Sequence, residues 1–276
     1  MSLTINTNLF SLNAQRNVAS TQGSLATAMQ RLSSGLRVNS AKDDAAGLAI
    51  AERMNAQMKG MNVAIRNASD AISLAQTAEG ALGQVGDALQ RMRELAVQAA
   101  NATNGTSDLA NLNAEYQDLA DEVGRVLGGT LFNGVNLLGA AAPLVFQVGA
   151  NDDATNDRIT VTTTNLSAHA DITAATGGDL STAANALAAM GNLDTAIDRI
   201  TTARSTFGAV QNRFESVIAN LRVAVENQAA SRGRIMDADF AQETANLSRA
   251  QVLQQAGVAM VAQANALPSN VLALLR

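Results

Sequence analysis

Cysteine and tryptophan are absent from this chain of 276 residues, which has one tyrosine, one histidine and two prolines. The lack of cysteine excludes disulfides, thiolate metal sites and thiol nucleophiles together. The single histidine, His169, lies in a polar stretch that offers no rigid setting for a Ser-His-Asp triad. No His-Glu-x-x-His pair exists to hold zinc. Asp152, Asp153 and Asp157 lack the spacing and closing glutamate of an EF-hand loop and read as a solvated turn. No catalytic, cofactor-binding or metal-binding residue is therefore assigned, and the chain is expected not to be an enzyme. Aromatic residues make up only 3% against 47% hydrophobic residues, many of them alanine. Packing must come from small and aliphatic side chains on long helices, which favours an elongated molecule. A net charge of −5 leaves no basic face for phosphates, so nucleic acid is not an expected partner. Met1 to Phe10 has neither a basic n-region nor an apolar h-region, so an ordinary secretory signal is not expected there.

Charge is missing locally as well. Ala250 to Leu275 carries none, yet Gln251, Gln254, Gln255, Gln263, Asn265, Ser269 and Asn270 interrupt it and Pro268 is expected to break it. A membrane-spanning helix wants about 20 predominantly apolar residues, so insertion is not expected. The first 41 residues carry only Arg16, Arg31 and Arg37, and no acid, among scattered leucines. Both ends read as helices that need protein neighbours.

What the chain does contain is apolar periodicity. Met58, Met61, Ile65, Ala68, Ile72 and Ala75, then Leu82, Val85, Leu89, Met92 and Ala96, recur in steps of three and four from about Asp44 to Ala100. This predicts a coiled-coil seam with a register shift near Glu79 and Gly80. Ser40 to Asp43 fits a capping pattern for its start, and Asn104-Gly105 a turn at its end. A second helix is expected over 107–127, closed by Gly128-Gly129. Asn133-Gly134 between apolar pairs signals a hairpin. Leu144 to Val148 and Arg158 to Thr163 are strand candidates joined by Asn151-Asp152-Asp153. Asn165 to Gly178 reads as a loop. Leu187, Met190, Leu193, Ile197, Ile200, Phe207, Val210, Phe214 and Val217 mark a third long helix over roughly 180–231. Gly233 and Asp237 mark a break before a last helix from Asp239 to about Ala266. Met54, Met58 and Met61 form a stripe best read as adaptable packing. The fold class is thus mainly α: an elongated antiparallel coiled-coil bundle, a small β-hairpin region at mid-chain, and terminal helices paired at one end.

Particular runs then carry a resemblance. Ile5 to Asn8, Ser11 to Asn17 and Leu32 to Gly47 resemble the amino-terminal signature of bacterial flagellin; Ile235, Asp237, Asp239 to Ala241, Gln251 to Gly257 and Ala262 to Asn265 resemble its carboxyl-terminal signature. The similarity covers nearly all of the chain apart from roughly 143–178, and it implies a short form without large outer domains. It further implies a structural subunit, exported unfolded by the flagellar type III apparatus, that polymerises into the extracellular filament used for motility. Implied segments are 1–43 and 237–276 for polymerisation, 44–142 and 180–236 for the two halves of the rod, and 143–179 for a hairpin and variable tip. Implied partners are further copies of the chain, an export chaperone, the filament cap and hook-associated proteins.

Gln90, Arg91, Glu94, Leu95 and Gln98 resemble the segment through which Toll-like receptor 5 recognises flagellin, shared with contacts between subunits. A solvated helix face with Leu95 packed beneath it accounts for the same residues. Val271, Leu272, Leu274 and Leu275 resemble the terminal leucine motif of inflammasome recognition, and serve equally for filament packing or chaperone binding. Thr160, Thr162, Thr164 and Ser167 are candidates for O-glycosylation, although β-propensity explains the threonines as well. Two alternatives share this architecture: a hook-filament junction protein and a flagellin-like surface-binding protein. The carboxyl-terminal match weighs against the first, and the lack of Trp and Tyr in 165–178 against the second.

Overall fold

The computed structural model describes residues 7–274, with side chains as far as residue 266. In chain order the elements are α1 (Leu9–Ser34), α2 (Ala45–Ala99), α3 (Thr106–Gly129), β1 (Leu131–Phe132), β2 (Val135–Asn136), β3 (Pro143–Gln147), β4 (Arg158–Thr162), α4 (Ala170–Thr176), α5 (Ala183–Met236) and α6 (Phe240–Leu274). The fold is mainly α, with two small antiparallel strand pairs. The chain divides into two compact units, Gln57–Glu226 and the flanking residues up to Ala56 and from Asn227.

The unit between Gln57 and Glu226 holds the large core. Along α2 a buried seam runs through Ala64, Ala68, Ala71, Ala75, Ala78, Leu82, Val85, Leu89, Met92, Ala96 and Ala99, with Leu74 and Leu95 buried beside it. These steps of four and three run without interruption, so the expected register shift near Glu79 and Gly80 is absent. Ile65 and Ile72, taken for seam residues, are only half-buried. Alanine occupies the seam instead, because a small side chain lets helices approach closely while bulk is left at the flanks. The matching positions on α5 are Ala186, Ala189, Leu193, Ala196, Ile200, Phe207 and Phe214. α3 adds Tyr116, Ala120, Val123 and Leu127 on one face, and Gly128 and Gly129 are its last helical residues.

Asn133 and Gly134 adopt φ of 49° and 79°, the left-handed pair that a tight hairpin turn between β1 and β2 requires. β3 and β4 pair in register from Pro143↔Thr162 to Gln147↔Arg158. Ile159 and Val161 turn inward from β4, and Phe146 meets Phe214 edge-on at 5.5 Å. Asn67 donates to the Gln147 carbonyl at 3.0 Å and ties β3 to α2.

Three boundaries differ from expectation. Residues 165–178 are not a plain loop: α4 forms there, with Leu166, Ile172 and Ala175 buried. Its apolar face was too short to register as a period, and His169 is its N-cap, accepting from the Asp171 amide at 3.3 Å. Tyr116 locks α4 to α3 by donating its hydroxyl to the Ala175 carbonyl at 2.5 Å, and burial pushes its pKa up to about 12. α5 runs through Gly233 and ends at Met236, and α6 continues through Pro268 to Leu274. Helical context on both sides outweighs a single glycine, which costs only about 1 kcal/mol in a helix.

Candidate functional site

The unit built from the two ends of the chain is organised differently. Asn8 caps α1, its Oδ1 accepting from the Ser11 amide at 3.1 Å, while its Nδ2 donates to the Ala264 carbonyl at 2.7 Å. The buried Ser11 hydroxyl donates to Asn265 Oδ1 at 2.7 Å. At the other end Gly35 closes α1 with φ of 70°. There the chain is stitched to the end of α5: Arg37 N–H donates to Met236 O at 2.7 Å and Ala238 N–H to Gly35 O at 2.9 Å. The Arg37 guanidinium also reaches Ile235 O at 2.7 Å. Val38, Ala51 and Met236 form a small buried cluster beneath this junction.

The expected cap of α2 is corrected by one turn. Asp43 folds back onto Ser40 and the Asn39 amide rather than onto the helix, and the Ser40 hydroxyl holds its carboxyl below the usual carboxylate range. Asp44 is the cap, accepting from the Gly47 amide at 2.8 Å.

Between α1 and α6 the interior is made of small residues. The buried side chains there are Ser11, Ala28, Glu243, Ala250 and Ala264, and a Cβ on Gly257 would lie 2.6 Å from Val18 Cγ2, so the helices touch at that glycine. The large apolar side chains face outward: Phe10 is 58% exposed, Leu253 52% and Met260 63%, with Leu9, Met29, Val252 and Val258 also exposed. Phe10, Val18, Leu253, Gly257 and Met260 line an apolar groove of about 660 Å³. Its neighbour, about 720 Å³, is polar and lined by Ser20, Ser24, Thr27, Arg31, Glu243 and Arg249. In this second groove Arg31 Nη1 meets Glu243 Oε1 at 3.0 Å. Glu243 is the sole acid on either helix, so this ion pair marks one register of α1 against α6. The sequence reading passed over Glu243; its isolation in an otherwise acid-free pair of segments was the available signal.

The remaining candidates are distributed elsewhere. Gln90, Arg91, Glu94 and Gln98 are exposed on α2. Arg91 binds Glu115 of α3 at 2.7 Å and Glu94 at 3.0 Å, and Glu115 raises the pKa of its guanidinium. Leu95, offered as a contact, is 1% exposed and packs in the core; it follows Met92 on the buried side of α2, so no partner can reach it in this fold. Thr160, Thr162 and Thr164 are exposed, whereas Ser167 is half-buried and donates to Asn165 at 2.9 Å. Val271, Leu272 and Leu274 fall within α6, but their side chains, like all of Leu275, lie outside the described residues. Asp153 and Asp157 spend their carboxylates on the amides of Thr155 and Asn151, as a solvated turn does. Among the described residues no helix is long and apolar enough to cross a membrane.

A two-part helical chain whose ends come together and present large apolar side chains outward, with no cluster of metal-holding side chains among the described residues, has the build of a structural subunit. Residues 5–142 match the bacterial flagellin N-terminal helical region, and residues 190–275 match the bacterial flagellin C-terminal helical region. The chain is 46% identical over 273 residues to a flagellin of Halalkalibacterium halodurans, covering 99% of each. It is 41% identical to a flagellin of Serratia marcescens, with all of both chains covered. A solved flagellin of Bacillus cereus aligns with 56% of this chain and 88% of its own at 36% identity, with a TM-score of 0.49. The chain belongs to the bacterial flagellin family, and its function is that of a filament subunit in the bacterial flagellum. Flagellin is a family of structural proteins, and the filament it forms by self-polymerisation is extracellular. Nothing in these matches favours a junction or surface-binding role.

Proposed function

We propose that polymerisation is driven by the exposed apolar side chains of α1 and α6, which become buried against the same helices of neighbouring copies. The observation that carries this is the inversion of burial in the terminal pair, with alanines inside and Phe10, Leu253 and Met260 outside. Burying one such side chain fully is worth about 1.5–3 kcal/mol, so a few per subunit suffice to hold a polymer. The segments 1–43 and 237–276 form the inner tube, 44–142 and 180–236 the surrounding shell, and 143–179 the outward tip. The chain travels unfolded through the type III apparatus and has no catalytic activity. An export chaperone and the filament cap cover the same apolar strip before assembly, and hook-associated proteins use it at the filament base.

The test is seeded polymerisation in ammonium sulfate, which strengthens apolar burial, followed by electron microscopy and light scattering. The full chain is expected to form filaments, and a chain carrying Phe10→Gln, Leu253→Gln and Met260→Gln is expected to remain monomeric with its helix content intact. Filaments of normal yield from that variant would overturn the reading.

The finer sites follow as proposals on the same footing. Gln90, Arg91, Glu94 and Gln98 form a subunit contact that Toll-like receptor 5 reads in the monomer, with Leu95 acting only as the support beneath it. Their exposure on one stretch of α2 supports this. Val271, Leu272, Leu274 and Leu275 engage the chaperone or an inflammasome sensor. Thr160, Thr162 and Thr164 are the accessible hydroxyls for O-glycosylation, and intact-mass measurement of native filaments tests them.

A further inference from the structure

The chain contains two Asn-Gly pairs, Asn104-Gly105 and Asn133-Gly134. This dipeptide is the one most open to spontaneous loss of ammonia, because glycine places no side chain in the way of its own nitrogen. The Gly nitrogen attacks the Asn side-chain carbonyl carbon, the amide nitrogen leaves as ammonia, and a five-membered succinimide closes. Water then opens the ring at either carbonyl. One opening gives aspartate; the other gives isoaspartate, in which the main chain runs through the former side chain.

The two pairs stand in opposite chemical situations. At Asn104 both reacting groups are engaged. Its side-chain amide donates to the Gln98 carbonyl at 2.6 Å, and the Gly105 N–H donates to Asp108 Oδ2 at 3.0 Å. The side chain is held away from the nitrogen that must attack it, and that nitrogen is occupied as the cap of α3. At Asn133 neither restraint is found among the described residues. Asn133 and Gly134 are the exposed central residues of the β1–β2 turn, where the second central N–H has no ladder partner. The positive φ of Asn133 records a residue already in the left-handed region.

We propose that Asn133 is a spontaneous modification site of the folded protein, converting through a succinimide to aspartate and isoaspartate while Asn104 stays intact. The conversion needs only water. Its structural consequence falls on the hairpin. Isoaspartate lengthens the main chain by one carbon within a turn whose two flanking pairs are Leu131↔Asn136 and Phe132↔Val135. It also adds a carboxylate to a turn flanked by the exposed side chains of Leu131 and Val135. Asn136, which anchors the hairpin to α3 through the Gly128 carbonyl at 2.7 Å, then bears the displacement.

The experiment incubates the full-length native protein at mildly alkaline pH and follows the two Asn-Gly peptides by mass spectrometry, with isoaspartyl methyltransferase labelling of the products. In the folded protein Asn133 is expected to convert at least about tenfold faster than Asn104, since two hydrogen bonds together are worth about the 1.4 kcal/mol that tenfold represents. In the urea-unfolded chain the two rates are expected to converge. Asp108→Ala, which releases the Gly105 N–H, is expected to speed conversion at Asn104 and leave Asn133 unchanged. Equal rates in the folded protein, or an Asn104 that converts first, would overturn the proposal.

Discussion

The two units use alanine to opposite ends. Between Gln57 and Glu226, alanines alternate along the seam with Leu82, Leu89, Phe207 and Phe214, and every one of these large side chains is buried. Between α1 and α6, in the unit made of the two ends, alanines at 28, 250 and 264 are buried while Phe10, Leu253, Val258 and Met260 face outward. The first pattern closes a core within one chain; the second leaves large apolar side chains exposed, which the proposed function assigns to contacts with other chains. Local stability follows, because helices with few buried apolar contacts open at low free-energy cost. On the proposed function, one sequence thereby holds a part that closes its own core and a part completed by neighbours.

Substitutions can break this contrast. The largest effect is expected from Leu89→Ala, which leaves a cavity in the closed core: about 2–5 kcal/mol of stability, measured by urea unfolding of the monomer. Tyr116→Phe is next, at about 1–3 kcal/mol in the same measurement, because the buried Ala175 carbonyl loses its donor. Glu243→Gln removes one member of the partly buried pair with Arg31. It is expected to leave the unfolding midpoint of the Gln57–Glu226 unit unchanged and to lower filament yield, since α1 and α6 lose the mark of their register. Leu253→Gln is expected to change monomer stability least, within about 0.5 kcal/mol as for other exposed positions, yet to slow seeded polymerisation. A destabilised monomer with normal assembly in this last variant would reverse the assignment of the two surfaces.

Much of the architecture was legible in the sequence, and the failures have a common cause. Periodicity located α2, α3 and α5 to within a few residues at their starts, the Gly233–Asp237 break located α6, Asn133-Gly134 located the hairpin, and charge absence singled out the two ends. Alanine limits the finer reading: Ala68, Ala75 and Ala96 lie in the expected seam and are buried, but alanine counts little as a hydrophobe, so the pattern points to Ile65 and Ile72 where Ala64 and Ala71 are the buried neighbours. α4 escaped for a related reason, since Ile172 and Ala175 are too few to show a period. Likeness places Leu95 in a contact, but the other reading of the same residues, a solvated face with Leu95 packed beneath it, is the one its burial beside Met92 agrees with. At the ends, the sequence showed that partners were needed but not which side chains would meet them, because exposure depends on how α1 lies against α6. The contact at Gly257 belongs to that geometry alone, whereas Glu243 carries a sequence signal in its isolation on two otherwise acid-free helices.

Amide hydrogen exchange on monomer and filament tests the central claim most directly. The account predicts strong protection of α2, α3 and α5 between Gln57 and Glu226 in both states, with α1 and α6 exchanging quickly in the monomer and becoming protected only in the filament. Equal protection of α1 and α6 in the two states would contradict it, by showing that the terminal pair is complete without its neighbours.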